Sequence, residues 1–289
     1  MILKLFEYLE LRKILQNFIT EDLGTGDITS ENLEHGNKQV SAFIIYKSKK
    51  NCILSGIEEV KILFDMFGCD IIYAKEDGQK ISPNSKVIKL QGKAIDILKV
   101  ERTALNLLMR MSGIATNTRS FVEIVNKIDS CIVVSATRKT APGLRIFDKK
   151  AVMAGGGGSH RFRLDDMVLI KNNHLQVDKS ITKLITLIRK NVGSSIKIEC
   201  EVTNYFEAIE AIGAGADIIM LDNFSPSDVG KTINKLRKLN LREKVQIEIS
   251  GGITKENIAK YAFYRPDIIS VGYLTHSSAS LDFSLRISN

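Results

Sequence analysis

From residue 130 onward the chain repeats one rhythm: a short apolar, β-branched run, then an amphipathic stretch long enough to be a helix. The runs are CIVVSA (131–136), MVLI (167–170), IKIECE (196–201), DIIMLD (217–222), VQIEIS (245–250) and DIISV (267–271). A strand covered on both faces has no solvent side, so it loses the polar alternation of a one-sided hairpin and reads as a parallel strand. Each intervening segment can cross over as a helix and return right-handed. The uneven spacing excludes a solenoid repeat. An open doubly wound sheet and a barrel both satisfy this pattern.

The residues that follow the runs separate those two solutions. They are Arg138 and Lys139, Lys171, Glu201, Asp222, Ser250-Gly251-Gly252 and Gly272. Strand ends converge on one mouth in a β/α barrel, whereas an open sheet gathers its ligand at one switch point. Polar residues after nearly every run favour an incomplete barrel of six or seven strands. With His160 and Arg161 in the preceding loop, the mouth carries a strong positive excess over Glu201 and Asp222. Such a surface suits a ligand with several negative charges, and two carboxylates among cations can hold Mg²⁺ or stabilise a developing cation.

Glycine-rich segments add to that mouth. AGGGGSHRFR (154–163) reads as a mobile, substrate-facing loop; it fits neither G-x-G-x-x-G nor a Walker sequence. Ser250-Gly251-Gly252-Ile253-Thr254 leads into KENIAKYA, a predicted helix whose first amides would face a phosphate, and Gly272 before Thr275, His276 and Ser277 repeats the device. His174 and His276 have no partner recognisable in sequence and read as structural. The chain has no Gly-x-Ser-x-Gly elbow and no His/Cys pairing, which argues against covalent acyl transfer.

The first third differs in kind. Leu5, Leu9, Leu15 and Phe18 lie at helical intervals in residues 2–19, and EDLGTGDIT stops that helix at Gly24 and Gly26. Strand-like runs follow at 39–47, 52–56 and 86–92, with an amphipathic helix at 57–68 closed by Gly68. A long helical stretch from Leu98 to Asn126 is expected to break at Ser112-Gly113. The division is therefore a small N-terminal α+β domain (1–112), a barrel domain (113–275) and a segment (276–289) returning to the first domain.

Composition limits the function classes. With 289 residues, 44% apolar and 26% charged, the chain is neither disordered nor fibrous. No apolar run approaches the roughly 18–20 residues of a membrane span, and Lys4, Glu7, Glu10 and Arg12 spoil a signal-peptide core. The expected place is the cytoplasm, without membrane contact. Cys52, Cys69, Cys131 and Cys200 are widely spaced and read as reduced, buried thiols. The net charge of +8 is interspersed with acids and lacks an aromatic-basic ladder, which favours small anions over nucleic acid.

Taken together, TRKTAPGLR (137–145), GGGGSHRFRLDDMVLIKNNHL (155–175), ECEV (199–202), IMLDNF (219–224), SGGI (250–253) and VGYLTHS (271–277) follow one order. That order resembles the nicotinate-nucleotide pyrophosphorylase (carboxylating) family, also called quinolinate phosphoribosyltransferase. EDLGTGDIT (21–29) and ERTALNLLMRMSGIAT (101–116) are similar to its N-terminal portion. The resemblance implies an α/β sandwich domain followed by a barrel of fewer than eight strands. It also implies a homodimer with a shared active site, dimer or hexamer being left open.

The implied reaction joins quinolinate to phosphoribosyl pyrophosphate, giving nicotinate mononucleotide, pyrophosphate and carbon dioxide, with Mg²⁺ and no organic cofactor. By position, Arg102 resembles the family arginine contributed across the dimer interface. Arg138, His160 and Arg161 resemble the groups that hold the two carboxylates, and Lys139 and Lys171 the paired lysines between pyridine and pyrophosphate. Glu201 and Asp222 are similar to the acids near ribose and Mg²⁺, and Ser250, Gly251, Gly252 and Gly272 to the 5′-phosphate site. Asn172 stands where bacterial relatives usually have Asp, and Ser159 where many have Asn. A non-decarboxylating pyridine phosphoribosyltransferase and a molybdenum-transport-associated homologue remain as alternatives; the latter usually lacks the lysine equivalent to Lys171.

Overall fold

The computed structural model describes residues 2–288, with side chains from Tyr8 onward. The chain forms two compact units, Met1–Thr116 with Ser278–Asn289, and Asn117–Ser277. Helix α1 (Ile2–Leu23) opens the first unit, followed by the short α2 (Ile28–Glu31), capped by the Asp27 carboxylate. Leu15 and Ile19 of α1 are buried and Phe18 half-buried, while Leu9 is exposed; the Leu5 side chain lies outside the described residues. Then come β1 (Gln39–Tyr46), β2 (Cys52–Ile53), α3 (Ile57–Asp65), β3 (Asp70–Ala74), β4 (Lys80–Ile81), β5 (Lys86–Lys93) and α4 (Ala94–Asn126). An antiparallel sheet places the strand Phe283–Ser288 beside β1, then β5, then β3, while β2 and β4 pair separately. Ile44 meets Leu285 and Tyr46 meets Phe283 across the first of these pairings, so one face of β1 is closed over by apolar side chains.

This unit departs from expectation in three places. The strand foreseen at 52–56 shortens to Cys52–Ile53, and β3 was not foreseen at all, because its Ile72 and Tyr73 are exposed on an edge. More instructively, α4 does not break at Ser112-Gly113. The buried Ser112 hydroxyl accepts from the Ser55 N–H and donates to the Ser55 carbonyl, both at 3.1 Å. A Cβ at Gly113 would come 2.2 Å from the Ala279 carbonyl oxygen. The glycine therefore serves close approach of two backbones, and the surrounding packing outweighs its helix propensity cost of about 1 kcal/mol.

The second unit carries the repeat. Its elements are β6 (Val133–Ser135), α5 (Arg145–Ala154), β7 (Val168–Ile170), α6 (Asn172–Val177), α7 (Ile181–Val192), β8 (Ile198–Val202) and α8 (Tyr205–Ala214). They continue as β9 (Ile218–Asp222), α9 (Pro226–Lys238), β10 (Gln246–Ser250), α10 (Ile258–Ala262), β11 (Ile268–Ser270) and α11 (Tyr273–His276). All six runs are strands, and they pair in parallel in the order β6-β11-β10-β9-β8-β7. Gly158 adds a parallel bridge to Ser135 at the outer side of β6. Helix starts follow local chemistry: Asn204 accepts from the N–H groups of Phe206 and Glu207 before α8, and Ser225 from Asp228 N–H before α9, where Pro226 needs no partner.

The lower, N-terminal ends of these strands are tied by a repeated device. Asp217 accepts from the Ile198 N–H at 2.7 Å and pairs with Arg189; Asp267 accepts from the Ile247 N–H at 2.6 Å and pairs with Arg242 at 2.9 Å. Each carboxylate thereby fixes a neighbouring strand start and neutralises an arginine. Cys52, Cys69 and Cys200 are buried free thiols, but Cys131 is exposed, against expectation, because it lies in the turn ahead of β6 rather than in the strand. Among the described residues no helix is long and apolar enough to cross a membrane.

Candidate active site

The upper ends of all six parallel strands open on one cavity of about 540 Å³, so the sheet is rolled rather than flat. Eleven of the twelve residues singled out in the sequence line it: Arg138, Lys139, His160, Arg161, Lys171, Glu201, Asp222, Ser250, Gly251, Gly252 and Gly272. Arg102 does not; it is an exposed residue of α4 in the other unit. Thr254 of the glycine loop and His276 after Gly272 also line the cavity, as do Thr137, Ser270 and Tyr273, which were not foreseen.

Each cation is placed by a specific constraint. The Lys139 carbonyl accepts from the Thr275 hydroxyl at 2.7 Å, and its N–H donates to Thr137 Oγ1, which fixes the turn after β6. Arg138 is half-buried, and its buried Nε has no hydrogen-bond partner among the described residues. Arg161 is 8% exposed; its Nη1 donates to the Met167 carbonyl at 3.0 Å. Burial, and then the charge on Arg138, press the Arg161 pKa downward. A guanidinium stays ionised even so, and the two arginines form a partly desolvated positive site. Lys171 donates to Glu201 Oε1 at 2.9 Å while the Asn172 N–H reaches Oε2 at 3.3 Å, so Glu201 is held by the start of the next loop.

On the acidic side, Asp222 ends β9 and accepts from the side-chain amide of Asn223 at 2.9 Å. Asn223 has φ 57° and faces Gly251, where a Cβ would come 2.2 Å from Asn223 Oδ1. Only glycine at 251, at φ 96°, lets the two loops meet. The helix expected from Lys255 begins only at Ile258, and α10 has five residues; α11 after Gly272 has four. Any phosphate contact here would therefore come from loop amides, because Asn257 takes the Thr254 N–H and delays the helix.

The glycine run also differs from its reading as a mobile loop. The Gly158 N–H donates to the Val134 carbonyl and its carbonyl accepts from Ala136, both at 2.8 Å, so the run is laid along β6 as an extra strand edge. It delivers His160, at φ 52°, to the cavity floor. The imidazole Nε2 lies 3.4 Å from Glu199 and 3.2 Å from Glu248, both fully buried, and Ser270 donates to Glu248. Burial works against the imidazolium, but the two carboxylates outweigh it and push its pKa up to about 9; burial and Glu248 push Glu199 up to about 7. The Arg161 N–H lies 2.7 Å from Nδ1. Nε2 faces the two carboxylates.

Sequence reasoning missed Glu199, Glu248 and Lys149. The two glutamates had a signal: each is a charge inside an otherwise apolar run, at a strand position buried on both sides. Lys149 had none. It is 1% exposed on α5, donates to the Ser159 carbonyl and, at 2.7 Å, to the Arg161 carbonyl. Burial first, then Arg145, lower its pKa to about 8.

A parallel rolled sheet with a cationic mouth, two acids at strand ends and glycine loops beside them defines an enzyme that handles phosphorylated, multiply anionic small molecules. The chain belongs to the quinolinate phosphoribosyltransferase family: residues 27–112 match the family model "Quinolinate phosphoribosyl transferase, N-terminal domain" and residues 114–286 that for the C-terminal domain. It is 47% identical over 262 residues, 91% of this chain and 98% of the relative, to the Archaeoglobus fulgidus protein named "Probable nicotinate-nucleotide pyrophosphorylase (carboxylating)". It is 34% identical over 240 residues, 83% of this chain and 80% of the relative, to the human nicotinate-nucleotide pyrophosphorylase (carboxylating). The solved nicotinate-nucleotide pyrophosphorylase from Francisella tularensis matches with a TM-score of 0.88 at 35% identity, covering 96% of each chain.

Proposed function

We infer that this chain transfers the phosphoribosyl group of phosphoribosyl pyrophosphate to quinolinate with loss of carbon dioxide, forming nicotinate mononucleotide for NAD biosynthesis. The observation that carries the reading is the pair Arg138 and Arg161 on the cavity, one with an unpartnered buried Nε and both partly desolvated. A planar guanidinium matches a carboxylate in geometry as well as charge, and two of them suit a dicarboxylate. A pyridine monoacid would leave buried positive charge unpaired, which is costly.

The chain's own groups supply the remaining demands. Lys139 and Lys171 line the same cavity as the arginines and the acids, and can take up charge on departing pyrophosphate. Glu201 and Asp222 face the space where ribose C1′ gains oxocarbenium character and can stabilise it. As the pyridine nitrogen bonds to C1′ and the C1′–pyrophosphate bond breaks, the nitrogen becomes cationic; it then stabilises the carbanion left on the neighbouring ring carbon when the adjacent carboxylate departs as carbon dioxide, and that carbon takes up a proton. The Ser250–Gly252 loop and Gly272 offer main-chain amides for the 5′-phosphate.

For Mg²⁺, Asp222 and Glu201 are hard oxygen donors of the kind that cation takes. Glu201 has an oxygen on Lys171 and the other on Asn172, so Asp222 is the freer ligand, and the substrate's own pyrophosphate would complete the shell. When bound, the ion neutralises charge on the leaving group. The family resemblance supports a homodimer in which Arg102 serves the partner's cavity, since Arg102 is exposed and absent from the lining here. A cytoplasmic location fits phosphorylated substrates and free thiols.

The test is direct: purified protein with quinolinate, phosphoribosyl pyrophosphate and Mg²⁺ should yield nicotinate mononucleotide and stoichiometric carbon dioxide. Turnover of nicotinate in place of quinolinate, without gas release, would overturn the reading.

A further inference from the structure

Lys149 is the one fully buried lysine among the described residues, and its ammonium donates to main-chain carbonyls rather than to a carboxylate. An ammonium taken out of water is expensive unless its donors are used, so its location calls for a specific return. The two carbonyls it holds belong to Ser159 and Arg161, the residues that flank His160. His160 has φ 52°, a conformation unfavourable for a side-chain-bearing residue, and it persists only where the surroundings over-determine it. The next stretch of the turn is gripped separately: the Asp166 carboxylate accepts from the Phe162 and Arg163 N–H groups at 2.6 and 2.9 Å, and Arg145 donates to the Phe162 carbonyl. Lys149 also sits 5.8 Å from the Phe162 ring centre. Lys149 does not itself line the cavity; Arg161 does.

We propose that Lys149 is a positioning residue for the dicarboxylate pocket: its buried ammonium, by tying the carbonyls on both sides of His160, fixes the turn that aims the Arg161 guanidinium into the cavity. Charged hydrogen bonds to two acceptors define the spacing of those carbonyls more strictly than a neutral donor would. With that tie in place, His160 seats against Glu199 and Glu248, and Arg161, held by Met167 at one nitrogen, presents the rest of its fork to the ligand. A misplacement on the order of 1 Å at such a fork can cost about a hundredfold in rate. The inference rests on the assignment of Arg161 to quinolinate.

Lys149→Met keeps most of the unbranched side chain and removes its donors. The expected result is a rise in the KM for quinolinate of about tenfold or more, with the KM for phosphoribosyl pyrophosphate within about twofold of wild type. Lys149→Arg, which keeps charge and donors, should recover part of that rise. An equal rise in both Michaelis constants, or a lower Tm with both unchanged, would mean that Lys149 is only packing and would overturn the proposal. Should Lys149→Met fail to fold by circular dichroism, Lys149→Gln, whose shorter amide cannot span both carbonyls, takes its place: a rise confined to the quinolinate KM supports the proposal, and an equal rise or no change in the two constants overturns it. Arg161→Ala run beside them separates the levels. If it leaves the quinolinate KM unchanged, the pocket assignment fails; if it raises that KM and Lys149→Met does not, this inference alone fails.

Discussion

The two ends of the rolled sheet treat charge in opposite ways. At the lower end Asp217 and Asp267 each meet an arginine and a strand N–H, so those charges are consumed in holding strands together. At the upper end Arg138, Lys139 and Arg161 crowd one cavity and lack such partners among the described residues, while Lys171 is matched by Glu201. Like charges held together cost stability, and a fold tolerates that where a ligand later supplies the counter-charge. The same residue types thus serve architecture at one end and chemistry at the other, and partner count distinguishes them.

That contrast can be broken most sharply at Arg161. Arg161→Ala should lower kcat/KM for quinolinate by about a hundredfold or more, roughly 3 kcal/mol, with a smaller change in thermal midpoint. Steady-state assays with each substrate varied check it, and an undiminished kcat/KM would remove Arg161 from the pocket. Lys139→Ala comes next: turnover should fall by about tenfold to a hundredfold at saturating substrate, because its charge matters most as pyrophosphate leaves. Rapid-quench measurement of pyrophosphate formation reads this step.

The lower end should respond in the opposite sense. Asp267→Ala strips the Ile247 N–H and Arg242 of their partner, and should cost about 1–3 kcal/mol in urea unfolding while leaving kcat/KM within about twofold. Lost activity at unchanged stability would erase the distinction between the ends. The smallest effect is on pH dependence. His160 has a pKa raised to about 9 from 6.5. Its contribution to stability is full below pH 6.5 and is lost as pH rises through 9, since the native state then keeps a proton that the unfolded chain has released. Wild-type Tm should therefore drift down across that window, and His160→Asn should flatten the drift.

Much of this arrangement was legible in the sequence. The six runs are wholly visible because strands buried on both faces leave an unbroken apolar signature, and the residues that end them are displayed together by the rolled sheet. What escaped depends on packing partners that no local pattern encodes. Lys149 sits on an amphipathic helix where a lysine ordinarily faces water, and only the turn carrying Ser159 makes it a buried tie. Gly113 reads as a breaker until the Ala279 backbone is brought against it. Glu199 and Glu248 were in plain view, but a charge in a buried strand acquires meaning only when its counterpart, His160, arrives from another segment. The strand Phe283–Ser288 alternates apolar and polar residues in period two and could have been found by that signal.

That last strand has a consequence for how the protein is made. Ser41 of β1 pairs with Ser288, across almost the entire length of the chain. Pairings of such wide sequence separation form late, after loop closure has been met by other contacts. A ribosome emits the whole second unit before β1 can receive its neighbour, leaving that hydrogen-bonding edge open in the interval, so slowed translation beyond residue 277 should lengthen the nascent chain's exposure to chaperones and to edge-to-edge association.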